Sequence, residues 1–122
     1  MSSNTFTAGV VSAGPLEHGL RHVGWAERED GDCPHVIIMR SDTEKPDQPC
    51  IVVGDGQSYG ISYERIETAV VGHDYTELHL SSACAQELGV EDSLRIEVPR
   101  GHPDGFVAIL TELLHPAPVL TR

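Results

Sequence analysis

From Ile61 to Ser81 the chain alternates between residue types with a period of two. In "ISYERIETAVV", Ile66, Thr68 and Val70 interleave with Glu67 and Ala69. After the turn "GHD", "YTELHLS" sets Leu78 and Leu80 against Glu77 and His79. Successive strand side chains point to opposite faces, so this alternation specifies antiparallel strands with one face wet. "SLRIEV" (93–98) repeats the pattern, with Leu94, Ile96 and Val98 opposed to Arg95 and Glu97.

The remaining strands follow from β-branched runs bounded by turn residues. "TFTAGVV" (5–11) reads as a first strand closed by Gly14-Pro15, and "LRHVGWAERE" (20–29) as a second, turned by "DGD". "HVIIMRS" (35–41) has the continuous apolar character of a buried strand, and "CIVV" (50–53) is another short one. Two segments change to helical signals. Ser81 or Ser82 is placed to cap "SSACAQELG", and Gly89 stands where a left-handed C-terminal residue is needed. In "PDGFVAILTELLH" (103–115), Phe106, Ile109, Leu110 and Leu113 fall on one helical face, with Pro103 suited to the first turn and Pro116 to the stop. The expected fold is α+β: a mainly antiparallel sheet of about six or seven strands with two short helices, the C-terminal helix packed on the sheet. With 122 residues the chain reads as a single domain. Residues 1–4 and 116–122 are expected to be loosely held tails, and 42–49 a flexible loop.

"CIVVGDGQSYGIS" (50–62) invites a nucleotide-binding interpretation, because an apolar strand feeds Gly54, Gly56 and Gly60. A phosphate loop needs a helix N-terminus directly after the glycines to supply amides and dipole. Here the continuation is β-branched, no lysine follows, and Asp55 would oppose a phosphate. The glycines are expected to serve turn geometry between strands, allowing positive φ. No cofactor is expected.

Seven histidines and three cysteines raise metal and thiol chemistry. His18 and His22 are four apart, but Gly19 and the strand-like residues after it disfavour a helix there, and no H-E-x-x-H arrangement occurs. Cys33 and His35 alone do not close a tetrahedral site. The odd cysteine count (Cys33, Cys50, Cys84), without a C-x-x-C pair, fits a reducing cytoplasm. Cys84 near a helix N-terminus, with His79 and nearby carboxylates, is the basis of an alternative reading as a small enzyme or a metal- or ligand-binding protein. The first reading has no catalytic residue and no metal.

Charge narrows the partners. Nineteen Asp and Glu face eight Lys and Arg, a net charge of −11. Such a surface repels nucleic acid and anionic lipid and speeds encounter with a basic partner. The densest acids, Glu27, Glu29, Asp30, Asp32 and Asp42, with Asp55 and Tyr59 further along, form the candidate contact surface. An aromatic among carboxylates suits docking onto a basic protein. No secretory signal opens the chain and no 18-residue apolar run spans a membrane.

"GWAEREDGDCPHVIIMRS", a polar loop and "CIVV", "SYGIS", and "LHLSSACAQELGVEDSLRIEV" together resemble the immunity protein 10 family of bacterial polymorphic toxin systems, over about residues 20 to 114. Ile61 stands where relatives carry a second glycine after the Tyr-Gly pair. The resemblance implies a non-catalytic, cytoplasmic inhibitor that binds a cognate protein toxin, and it carries no catalytic residue. The last segment is also similar to the strand-helix-strand half of swapped-hairpin, AbrB-like DNA-binding proteins, whose basic residues meet phosphates. Here Arg95 stands beside Glu87, Glu91, Asp92 and Glu97, so nucleic acid is not expected. Exposed strand edges leave monomer and homodimer open.

Overall fold

The computed structural model describes residues 5–15, 20–29, 33–41 and 49–122. Residues 1–4 and 42–48, expected to be a loose tail and a flexible loop, lie outside the described residues. Ten strands and two helices follow in the order β1 (Thr5–Thr7), β2 (Val10–Pro15), β3 (Leu20–Ala26), β4 (His35–Ser41), β5 (Cys50–Gly54), β6 (Tyr59–Ser62), β7 (Ile66–Val71), β8 (Tyr75–Leu80), α1 (Ser82–Leu88), β9 (Ser93–Glu97), α2 (Phe106–Leu114) and β10 (Val119–Thr121). They form two five-stranded sheets, β2-β3-β4-β5-β6 and β1-β9-β8-β7-β10. The first is antiparallel throughout. The second is antiparallel at its centre, with β1 and β10 added in parallel at its edges. The fold is thus α+β and mostly antiparallel, and the helix after β9 packs on a sheet as expected.

The strand count exceeds the expected six or seven for three local reasons. "TFTAGVV" breaks at Ala8-Gly9, where the chain passes from one sheet to the other. Ala8 N–H bonds Glu97 O at 2.8 Å and Gly9 N–H bonds Ala26 O at 2.9 Å, so adjacent residues pin the two sheets together. Gly9 is required there, because a Cβ would lie 2.6 Å from the Glu27 carbonyl oxygen. The 61–71 run divides into β6 and β7. Finally, residues 119–121, expected in a loose tail, pair in parallel with β7.

Helix α1 has the foreseen caps. Ser81 Oγ accepts the Cys84 N–H at 3.2 Å, and Gly89 ends the helix at φ +70°. Helix α2 starts later than expected. Gly105 is its N-cap, and Pro103 stands outside it, its carbonyl accepting the Phe106 N–H. No basic residue occupies the last turn of α2. Arg40 of β4 supplies the missing cation, its guanidinium donating to the carbonyls of Glu112, Leu113 and His115 at 3.2, 3.3 and 3.3 Å. This satisfies carbonyls a helix end leaves open. Arg21 of β3 adds an ion pair to Glu112 at 3.0 Å.

One core draws on both sheets and both helices. Helix α2 lies against β2, β3 and β4 of one sheet and β10 of the other, and α1 lies against β6 and β8. At the centre, Trp25 meets Phe106 edge to face at 5.6 Å. Thr76, fully buried, is satisfied by His102 Nε2 at 2.7 Å.

Burial pushes the His102 pKa below the ordinary histidine value. The unfolded chain therefore takes up a proton before the folded one as pH falls. Its contribution to stability is whole above about pH 6.5 and is lost as pH drops from there through the depressed folded value. Denaturant midpoints measured from pH 7 downward are expected to fall, and His102→Gln, which keeps an acceptor for Thr76, should flatten that slope.

Candidate protein-docking face

The register of the β2–β6 sheet brings separated residues to one end of it. Val10 pairs with Ala26, Ala26 with His35, His35 with Gly54, and Gly54 with Tyr59. Glu27 and Glu29 continue from β3 at that end, and Asp55 tops the β5–β6 hairpin beside Tyr59. The structure therefore gathers four of the sequence-selected contact residues, all exposed, at one margin. Asp30, Asp32 and Asp42 lie outside the described residues.

Each of the four is held differently. Asp55 is an Asx-turn residue: its Oδ1 accepts the N–H groups of Gln57 at 2.9 Å and Ser58 at 3.0 Å. These bonds, Ser58 first, hold its pKa below the usual carboxylate value, so the hairpin tip carries a fixed negative charge. Tyr59 is 69% exposed. Glu27 pairs with Arg28 at 3.2 Å, and its N–H is bonded to Pro34 O, which closes the neck of the β3–β4 connection. Glu29 is exposed beyond it.

Of the three glycines expected to serve the turn, Gly56 alone lies in it. Gly56 has φ +96°, at the first central position of a two-residue hairpin closed by Asp55 N–H to Ser58 O at 3.1 Å. Gly54 and Gly60 lie within strands and do not need positive φ. They are small because neighbours come close: a Cβ on Gly54 would sit 2.6 Å from the His35 ring, and one on Gly60 3.3 Å from Leu88 Cα.

Strand β4, expected to be buried, is covered by the described residues on one face alone. Val36 and Ile38 enter the core, whereas Ile37 and Met39 face outward and are half-buried. Following the pairs across the sheet gives the outward rows Val10–Ala26–His35–Gly54–Tyr59, Ser12–Gly24–Ile37–Val52–Ile61 and Gly14–His22–Met39–Cys50. None of these residues is Asp, Glu, Lys or Arg, although the chain carries a net −11. Both helices touching this sheet lie on its other side: α2 meets Trp25, and α1 approaches Gly60, both on inward rows. A hollow of about 380 Å³ sits on the outer face where Gly24 leaves a gap between Val10, Ser12 and Ile37, with Arg28 and Glu29 both among its lining residues. An antiparallel sheet normally wets its uncovered face with polar side chains. A five-strand face of this kind measures roughly 20 Å by 15 Å.

The residues of the alternative enzyme reading are not brought together. His79 points outward from β8, bonding Glu77 at 2.9 Å, beside Arg95, which contacts Glu77, Glu97 and the face of Tyr75. Cys84 is fully buried in the core, and burial raises its pKa, helped by Glu87 and Glu64 against a Ser62 hydrogen bond. A protonated, enclosed thiol is not a nucleophile. Alkylation of native Cys84 by iodoacetamide is expected to be at least about a hundredfold slower than after unfolding, as mass spectrometry would read. Cys33 Sγ is occupied by the Arg28 backbone, while His35 bonds Cys33 O and stacks on Gly54, so this pair does not converge on a metal. His22 bonds Gly14 O and Ser12 Oγ within the sheet, and His18 lies outside the described residues. Among the described residues no three of His, Cys, Asp and Glu cluster as metal ligands, and no helix is long and apolar enough to cross a membrane.

The uncharged face itself was not singled out from sequence. Its signal was present in "HVIIMRS" and "CIVV", where apolar residues occupy both strand faces in a chain that has too few helices to cover both. No protein-family model, curated protein or solved structure matches the chain.

Proposed function

We propose that this chain is a cytoplasmic immunity protein of a bacterial polymorphic toxin system, which binds and neutralises a cognate protein toxin without catalysis. The observation that carries the reading is the uncharged outer face of the β2–β6 sheet, bordered by Glu27, Glu29 and Asp55. An apolar centre with a charged rim is the anatomy of a protein–protein interface. The face alone offers about 300 Å² by the strand spacings, whereas a stable complex needs about 800 Å² per partner, so the acidic margin belongs to the same footprint. The acids then select a basic surface and speed its capture. The motif order from "GWAERE" to "SLRIEV" points to the same class, and the outward Tyr59 supplies an aromatic anchor of the kind that dominates binding energy.

The test is co-expression with the toxin domain encoded beside the chain, scored as rescue of growth. Glu27→Lys with Glu29→Lys, both exposed, should lower the association rate by about tenfold or more at low salt. Rescue at unaltered association rate would place the interface elsewhere, and failure of the unmodified chain to rescue would remove the immunity reading.

A further inference from the structure

The β5–β6 hairpin fixes which backbone groups of β6 are already used. Asp55 and Ser58 are a hydrogen-bonded pair at its tip. In an antiparallel ladder such pairs alternate with non-bonded ones. Counting from the tip, Gly60 and Ser62 bond back to β5, while Tyr59 and Ile61, opposite Gly54 and Val52, direct their N–H and C=O groups away from it. Within its sheet β6 neighbours β5 alone. Helix α1 packs beneath Gly60 on the inner face. Tyr59 and Ile61 are 69% and 45% exposed, so this edge lacks the charged or proline residues that usually blunt one.

Along the inner side of that edge runs a cleft of about 570 Å³, between β6, the β1 and β9 strands of the other sheet, and the end of α1. Phe6, Leu88, Val90, Leu94 and Ile96 make it apolar, and Asp55 and Glu87 stand at its mouth. No Lys or Arg lines it among the described residues. Glu87 is oriented by the Ser62 hydroxyl, which donates to one carboxylate oxygen at 2.5 Å and leaves the other open. Asp55 is fixed by its turn and anionic.

We propose that the outward edge of β6 and the adjoining cleft take an extended segment of the partner protein as an added strand, with arginine or lysine side chains alternating with apolar ones. This rests on the reading of the chain as a binder of a basic protein and names the mode of capture. Strand addition supplies main-chain bonds at Tyr59 and Ile61, and alternate side chains are then sorted by the two sides. One set enters the cleft, its aliphatic stems on the apolar floor and its cationic heads at Asp55 and Glu87. The other set lies beside Tyr59 and Ile61, continuous with the uncharged outer face. A segment of four residues spans about 13 Å, the length of β6.

The probe is a blocked octapeptide alternating valine and arginine, added to the isotope-labelled chain at high ionic strength, where general attraction to a net −11 is screened. Amide exchange at Tyr59 and Ile61 is expected to slow by about tenfold as their outward groups gain partners. Asp55→Asn with Glu87→Gln keeps the turn and Ser62 acceptors and should weaken binding at least about threefold. Ile61→Pro removes an outward donor that β5 does not use and should abolish binding. If that variant loses its folded spectrum, a peptide N-methylated at every second residue, which lacks the edge donors, replaces it and should not bind. Undiminished binding of the N-methylated peptide, or shifts confined to the Glu77–Arg95–Glu97 face, overturns the proposal. An equal response to arginine ethyl ester also overturns it, since that assigns the cleft to a free cation. Growth rescue with Tyr59 and Ile61 unmoved would sink the strand mode and leave the immunity reading standing. Peptide capture without rescue would do the reverse.

Discussion

Replacing Trp25 by alanine is expected to remove about 3–5 kcal/mol of stability, a large part of the roughly 5–15 kcal/mol that holds a domain folded. The indole is 1% exposed and sits on the inner face of β3, edge to face with Phe106 of α2. It therefore joins the β2–β6 sheet to the helix that also contacts β10 of the other sheet, and a cavity there loosens the packing of α2 on that sheet. Its Nε1 is buried with no hydrogen-bond partner among the described residues. Leaving a buried donor unpaired costs about 1–3 kcal/mol, so Trp25→Phe, which deletes that donor and keeps a ring, should be much milder, at about 1–2 kcal/mol. Urea unfolding of the two variants gives the comparison. Similar losses for Phe and Ala would mean that the indole N–H is satisfied and that the ring packing is not what matters.

Placing a charge on the uncovered face should have the largest effect on function. Ile37→Glu puts a carboxylate in the middle row, between Gly24 and Val52. Ile37 is half-buried, outside the core, so the fold should lose no more than about 1 kcal/mol. A docked partner would bury that charge unpaired, which costs several kcal/mol, and affinity should fall by about a hundredfold or more. Growth rescue and calorimetric titration against the toxin domain provide the measurement. Full affinity with Ile37→Glu would show that the partner binds elsewhere, whatever Glu27 and Glu29 do.

Elements built on local periodicity were legible. Strands β8 and β9 follow from alternation, and α1 from a capping serine and Gly89. Each signal lies within about ten residues, and the structure places those elements within a residue or two of the reading. The divided strands were not legible. Nothing in "TFTAGVV" announces a break, because the need for Gly9 comes from the Glu27 carbonyl of a different strand. The parallel pairing of Val119–Thr121 with β7 likewise depends on where α2 delivers the chain. Nor does any local signal mark Arg40, whose bonds to the end of α2 join residues more than seventy positions apart.

The site divides in the same way. Sequence marked Glu27, Glu29, Asp55 and Tyr59 as contact residues by their chemistry, and strand register brought them to one end of the sheet. It took "HVIIMRS" for a buried strand, since periodicity reports which residues are apolar and not what covers them.

The order of residues alone determined most element types, the caps of α1, the β5–β6 turn and a strongly negative surface, because propensity, periodicity and charge act over short spans. Tertiary structure decided that two sheets form instead of one, and that among the described residues neither helix covers the outer face of the β2–β6 sheet. Those outcomes depend on which distant segments pack together, and packing is a property of the closed chain that no local window contains.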